Sequence, residues 1–465
     1  MAPTLARRWP CGPAGAALAG LLALALAPGC SAVESLVPRL GAGPQPGQPG
    51  YVRGFLGGVA AEEPRAALVA REVLSAGGSA TDAAVAAGLT LAVTLPSRAG
   101  LGGGGACLVF EPGRRGGGVE AVVFPAGGRT AALPPGTDRP AAVPMLARGL
   151  FALHTRGGRR PFEELLAEAE RLARLGTPVS RALARDLAAV QGPLFADPGA
   201  RAVFARPDGA PLAEGDRLVQ PDLAATLTTL RISGVGDLYQ GALARRLAEA
   251  SARAGGGLTL PELREGVPQV LAAPQVRAGN DTVAFLPPEA DGGRGAVAQA
   301  WQRGGGDPAR ILVGGPADGG GGLGASTALV TLDRDGGAVA CAFSMNNLFG
   351  TGRVAQGTGI LLAAAPNQGA VAPAPLAATL ASNASLRAFR AAVAASGQQA
   401  APLAAAATMA RILQGAAPAE AITAAPEPAR VVAIGCARYL PGRPESCAAA
   451  SDPRGAGAAF GGAER

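Results

Sequence analysis

The chain has 465 residues, of which 48% are hydrophobic, 16% charged and 4% aromatic, and its formal net charge is +7. That length fits one large domain or two closely joined ones, with apolar residues enough for a sizeable core. Every basic residue is arginine, so a Walker A phosphate loop is excluded for want of its lysine, and the positive charge forms no basic run interleaved with aromatics, as a nucleic-acid surface would need.

In chain order, Arg7 and Arg8 precede an apolar run over residues 14–27. As a helix that run spans about 21 Å, short of the roughly 30 Å hydrocarbon core of a bilayer, so it reads as the h-region of a signal peptide. It ends Leu26-Ala-Pro-Gly-Cys30. A small residue before a cysteine is similar to a bacterial lipoprotein box, with Cys30 as the lipidated residue; the alternative is an ordinary signal peptide with an incidental cysteine. Residues 1–30 are thus expected to be a signal segment and residues 31–50, rich in Pro and Gly, a tether. The expected location is the periplasm, with the membrane touched only through the lipid.

Residues 62–75 predict an amphipathic helix stopped at Gly77-Gly78. Ser79-Ala-Thr-Asp82 is a capping box, opening a helix over 83–94 that is apolar and small-sided enough to be buried. Gly100-Leu-Gly-Gly-Gly-Gly105 contains GxGxxG by letter, but a helix precedes it and a strand (106–110) follows, the reverse of a dinucleotide fingerprint. It reads instead as a glycine turn that permits close backbone packing. A strand is expected at 119–124, helices at 140–154, 161–175, 220–232 and 238–253, and a short strand at 283–286. After a glycine-rich stretch at 314–322, strands at 328–332 and 338–343 flank the hairpin turn Asp333-Arg-Asp-Gly-Gly337. Alanine-rich helices are expected at 386–395 and 402–414. Sheet segments both early and late, with helices between, suggest layered helix and sheet rather than a doubly wound parallel order.

Cys107 and Cys341 lie in apolar strand-like runs and are expected as core residues. Cys436 and Cys447 flank a polar, turn-rich loop and could close a disulfide in an exported protein. No CxxC or Cys/His cluster points to a metal, and no cofactor is expected. The only histidine is His154, in an ordinary helix. A hydroxyl nucleophile usually needs a neighbouring base. One solution needs no histidine: a Ser or Thr whose own α-amine, of pKa about 7.7–8.0, is freed when the chain cuts itself. Ser326 and Thr327, at the start of a predicted strand and just after the glycine-rich stretch, are the candidates.

Several segments, in order, resemble the gamma-glutamyltransferase family. They are Ala76-Gly-Gly-Ser-Ala-Thr-Asp-Ala-Ala-Val-Ala-Ala87 with Gly100–Gly105; Phe162-Glu-Glu-Leu-Leu166 through Gly176-Thr-Pro-Val-Ser180; Gln220-Pro-Asp-Leu-Ala-Ala-Thr-Leu227; Pro287-Pro288 with Gly292-Gly293; residues 326–336; Asn346 with Phe349-Gly-Thr-Gly352; Gly357-Thr-Gly-Ile-Leu-Leu362; and Ser451-Asp-Pro-Arg-Gly455. The resemblance implies an α+β fold, a four-layer αββα sandwich of the N-terminal-nucleophile hydrolase type. It implies self-cleavage into a large-subunit-like region (51–325) and a small-subunit-like region (326–465), which could stay together as a heterodimer. Ungapped counting from Asp333-Arg-Asp-Gly336 favours Ser326 as nucleophile; a one-residue shift makes it Thr327. Ser344 stands where the family has a threonine whose hydroxyl bonds the nucleophile, and Asn346 matches an asparagine that binds the substrate's amino group.

Other family positions are not matched. The arginine for the substrate carboxylate falls on Pro125, for which nearby Arg129 is the candidate replacement. The serine pair falls on Ala377-Ala378, the glutamine and the acid on Ala365 and Gln368, and the oxyanion glycine pair near Gln398-Gln399. Charged hydrogen bonds contribute about 1.5–3 kcal/mol each, so losing three or four removes on the order of 5–8 kcal/mol from a γ-glutamyl pocket. Two readings follow. One is a self-processing enzyme that hydrolyses or transfers a γ-glutamyl or related acyl group from glutathione-like peptides. The other is a catalytically degenerate, lipid-anchored envelope binding protein.

Overall fold

The computed structural model describes residues 54–114, 118–129, 132–313, 325–368 and 371–461. Cys11, Cys30, the tether and the glycine-rich stretch 314–322 lie outside them. The strands in chain order are β1 (Gly57–Ala61), β2 (Gly104–Phe110), β3 (Glu120–Phe124), β4 (Thr177–Pro178), β5 (Arg217–Leu218), β6 (Gln269–Ala272), β7 (Gln275–Ala278), β8 (Asp281–Phe285), β9 (Ser326–Asp333), β10 (Ala338–Ser344), β11 (Val354–Ala355), β12 (Ile360–Leu361), β13 (Ala377–Asn383), β14 (Ala388–Ser396), β15 (Arg430–Leu440), β16 (Cys447–Ser451) and β17 (Ala458–Gly461). Thirteen of them form two sheets, ordered β17-β1-β9-β10-β2-β3-β6 and β16-β15-β14-β13-β8-β7. Helices cover the outer face of each sheet, giving four layers, αββα.

Side-chain alternation along β9 and β10 defines the layers. Ala328, Val330 and Leu332, with Ala340 and Ala342, face the second sheet and pack with Leu380, Ala392 and Ala394. Leu329, Val339 and Phe343 face the other way, into the core shared with the helices Ala80–Thr94 and Leu146–Gly157. The second sheet turns its outer face to the helix Ala400–Leu413. The capping box forms as expected: the Asp82 N–H donates to Ser79 Oγ at 3.0 Å and the Ser79 N–H to Asp82 Oδ2 at 2.9 Å.

The expectation of a helix at 386–395 is corrected: that stretch is the strand β14, paired on both sides by β13 and β15. Alanine favours helix in isolation. Here its small side chain lets two sheets approach on one face and a helix on the other, and tertiary packing overrides the propensity. The helix expected at 140–154 starts instead at Leu146, because Ala141 and Val143 bridge to Ala364 and Gly127. The helix expected over 238–253 is broken at Gly241.

Cys107 and Cys341 are fully buried core residues, as expected, and the structure adds that they form a disulfide. They sit directly opposite each other on β2 and β10, with Cα atoms 4.1 Å apart. Cys436 and Cys447 pair as expected, across β15 and β16.

Candidate active site

Ser326 opens β9 and Ser344 closes β10, and the two are register partners. By alternation with Ala328 and Ala342, both side chains point between the two sheets. Ser326 is 4% exposed. Thr327 points the opposite way, towards the helices. It is fully buried opposite Phe343, and its Oγ1 has no hydrogen-bond partner among the described residues. The structure therefore separates two hydroxyls that are adjacent in sequence: one faces the space between the sheets, the other is sealed in a core.

The peptide bond before Ser326 is held at its carbonyl. Ser344 Oγ donates to Ala325 O at 3.0 Å, and the Met345 N–H donates to the same oxygen at 3.2 Å. The Asn346 N–H donates to Ser344 Oγ at 2.8 Å, which leaves the Ser344 proton directed at Ala325. Two aligned donors on one carbonyl are what an attack by the next residue's hydroxyl requires, because they stabilise the oxyanion as it forms. Ser344 thus bonds the carbonyl just ahead of Ser326. Met345 acts through its backbone, and a backbone donor leaves no mark in a sequence.

Asn346 has a left-handed backbone, φ 62°. Its Nδ2 donates to Ala126 O at 3.2 Å and Ala364 O at 2.9 Å. With both donors engaged, Oδ1 is left as an acceptor suited to an ammonium group. It lines a cavity of about 150 Å³ together with Ser344, Gly104, Pro125 and Leu376. A larger cavity, of about 540 Å³, adjoins it through Pro125, Gly127 and Gly128. The glycine run makes room for this wall: a Cβ on Gly104 would lie 2.2 Å from Phe124 O.

The expectation that Arg129 receives a substrate carboxylate is corrected. Its side chain is fully buried. Nε and Nη2 grip both carboxylate oxygens of Glu262 at 2.8 Å, and Nη1 and Nη2 donate to the carbonyls of Gly256 and Gly257. Four of its five N–H bonds are spent on structure. Glu262→Ala leaves that guanidinium buried and unpaired, and is expected to cost about 3–5 kcal/mol of stability, read as a drop in the urea midpoint.

Ala377, Ala378 and Ala365 are buried: Ala378 packs between the two sheets and Ala377 on the outer, helix-covered face of the second sheet, so neither offers a polar group to the site. Gln398 and Gln399 form the turn from β14 into the helix Ala400–Leu413, next to Ser396. His154 is remote. Its Nε2 lies 2.7 Å from Arg160 O and 3.7 Å from Asp82, beside the Asp333 end of β9. The eight residues of β9 span roughly 23 Å. Among the described residues no group of His, Cys, Asp and Glu is arranged to hold a metal.

The family model described as Gamma-glutamyltranspeptidase matches residues 66–301. Glutathione hydrolase 3 of Arabidopsis thaliana is 32% identical over 249 residues, covering 51% of this chain and 38% of that protein. The Glutathione hydrolase proenzyme of Bacillus subtilis (strain 168) is 31% identical over 221 residues, covering 44% and 37%. The chain thus spans under two fifths of the length of these relatives. In structure it matches a cephalosporin acylase from Bacillus halodurans with a TM-score of 0.68 and 19% identity, over 91% of this chain and 98% of the other. At that identity the likeness is one of fold, the four-layer αββα sandwich described above.

Proposed function

The chain belongs to the gamma-glutamyltranspeptidase family, and from that premise we propose that it is a self-processing N-terminal-nucleophile enzyme of acyl transfer. Ser326 Oγ attacks the Ala325 carbonyl, the chain is cut, and the new α-amine of Ser326 becomes the base for turnover. The mature serine then attacks an amide or γ-glutamyl carbonyl, forms an acyl-enzyme, and passes the acyl group to water or an amine. The observation that carries this reading is the pair of donors, Ser344 Oγ and the Met345 N–H, on the carbonyl just before a serine that heads a strand.

The acyl group we propose carries a free amino group, received by Asn346 Oδ1. Its carboxylate meets no arginine at Pro125 and no serine at Ala377 or Ala378, which favours an acyl group related to γ-glutamyl over tight capture of glutathione itself. Gln398 and Gln399, at the positive end of a helix, are proposed to supply backbone donors for the turnover oxyanion. Asn346→Ala is expected to lower kcat/KM about 10- to 100-fold for a substrate with a free amino group, from the loss of one charged hydrogen bond. It should change little for the N-acetylated substrate, and equal losses on both would remove Asn346 from the binding site.

We further propose that the protein works outside the cytoplasm. Two disulfides and the signal-like N-terminus support this, and among the described residues no helix is long and apolar enough to cross a membrane. Lipidation at Cys30 is the proposed anchor, and radiolabelled palmitate retained by wild type and lost in Cys30→Ala would test it.

The overall reading is tested by intact mass of the purified protein after reduction of its disulfides, and by N-terminal sequencing. Two fragments, the second starting at Ser326, are expected. A single uncut chain would leave the nucleophile's amine locked in a peptide bond and make the degenerate binding protein the better reading.

A further inference from the structure

Before the cut, the nitrogen of Ser326 is an amide and cannot serve as a base, and the lone histidine lies towards the far end of β9. Self-cleavage therefore needs a proton acceptor near Ser326. β1 runs on from Ala61 into Glu62, whose N–H donates to Ala328 O at 3.3 Å. Ala60 faces the second sheet, so Glu62, two residues on, faces it too. The β1–β9 register sets Ala61 opposite Leu329 and hence Glu62 opposite Ala328, with Ser326 as its diagonal neighbour on the same face. Diagonal neighbours lie about 7–8 Å apart at Cα, within reach of a long side chain.

The Glu62 carboxylate spans the gap between the sheets. Oε2 accepts from Ser396 Oγ of β14 at 2.8 Å and lies 3.8 Å from Arg98 Nη1. Glu62 is 6% exposed, and its Oε1 is buried without a hydrogen-bond partner among the described residues. A cavity of about 330 Å³ opens beside it, lined by Arg98, Arg185, Asp186, Arg430 and Asp452 among others.

We propose that Glu62 is the base for self-cleavage, its uncommitted oxygen taking the Ser326 hydroxyl proton directly or through one water. This rests on the self-processing reading above. The Ser326 O–H bond breaks, the proton passes to Glu62, and Oγ bonds to the Ala325 carbon while the carbonyl π pair moves onto oxygen between Ser344 and Met345. Collapse breaks the Ala325–Ser326 C–N bond, and the leaving nitrogen takes its proton back from Glu62. The products are an ester and a free α-amine. One water then hydrolyses the ester to a carboxyl on Ala325 and a free Ser326 hydroxyl, with nothing oxidised or reduced.

The surroundings suit the role. Burial pushes the Glu62 carboxyl up to about 7, against the opposing pull of Arg98, Ser396 and Arg430, with Asp452 adding to the rise. Arg98 is itself gripped by Asp186 through two hydrogen bonds. A group near that value can both accept and return a proton at neutral pH.

The test is the rate at which the fragment beginning at Ser326 appears, by intact mass of samples quenched and reduced, across pH 5 to 9. Wild type should cut faster as pH rises through about 7 and then level off. Glu62→Gln keeps the shape and an acceptor for Ser396; it should slow the cut by about 100-fold or more and lose the inflection. Ser396→Ala keeps the base but removes a bond that favours its ionised form, so the inflection should move to higher pH, a shift that a structural role would not produce. Thermal unfolding of each variant confirms that it is folded. If wild type cuts and a folded Glu62→Gln cuts at the same rate with the same profile, the base assignment is overturned and self-processing stands. A wild-type chain that stays whole at every pH overturns both.

Discussion

A Ser326→Ala chain is expected to stay whole and to take no label from an electrophilic acyl probe, whereas a Thr327→Ala chain is expected to cut as wild type does. The two residues are equivalent by composition and adjacent in sequence. Strand alternation turns Ser326 to the space between the sheets and Thr327 into the core facing the helices. Thr327 Oγ1 is buried with no partner among the described residues, so losing it removes no hydrogen bond made there. The carbonyl held by Ser344 and Met345 belongs to Ala325, so the bond polarised for attack is the one before Ser326. Intact mass of the two single variants after reduction decides the matter: an uncut Thr327→Ala chain beside a cut Ser326→Ala chain would reverse the assignment.

The second expectation concerns what the cut leaves behind. Cleavage before Ser326 places Cys107 on one fragment and Cys341 on the other, and those two are disulfide-bonded across β2 and β10. The processed protein should run as one species on a denaturing gel without reductant and as two with it. Cys436–Cys447 lies within the second fragment and contributes nothing to this tether. A Cys107→Ala, Cys341→Ala double variant should release both fragments on a denaturing gel without reductant, and the uncut form should be less stable by about 2–5 kcal/mol. Fragments of the wild type that separate without reductant would show that the bond does not form. The tether would keep the nucleophile's strand registered against β2 even when the chain is no longer continuous.

Of the site, the sequence offered Ser326, Thr327, Ser344 and Asn346 through the spacing of matched segments, but not how they divide the work. It could not choose between adjacent hydroxyls, because the choice depends on which face of β9 each occupies, and that depends on what packs above and below the strand. It offered Arg129 for a carboxylate because an arginine stood nearby; Glu262, 133 residues away, claims that guanidinium instead. Glu62 looked like the polar start of a helix, and only the pairing of β1 with β9 brings it alongside Ser326.

By itself the sequence determined the family, through short motifs in a shared order, and the layered α+β class, through strands at both ends with helices between. It determined the capping box at Ser79 and the hairpin at Asp333, because both are written in neighbouring residues. The tertiary structure alone decided that residues 388–396 form a strand, that Cys107 meets Cys341, that Arg129 is spent, and that Ala325 presents a polarised carbonyl. Each of these joins residues far apart in the chain or depends on both faces of a strand. Local propensity carries no information about either.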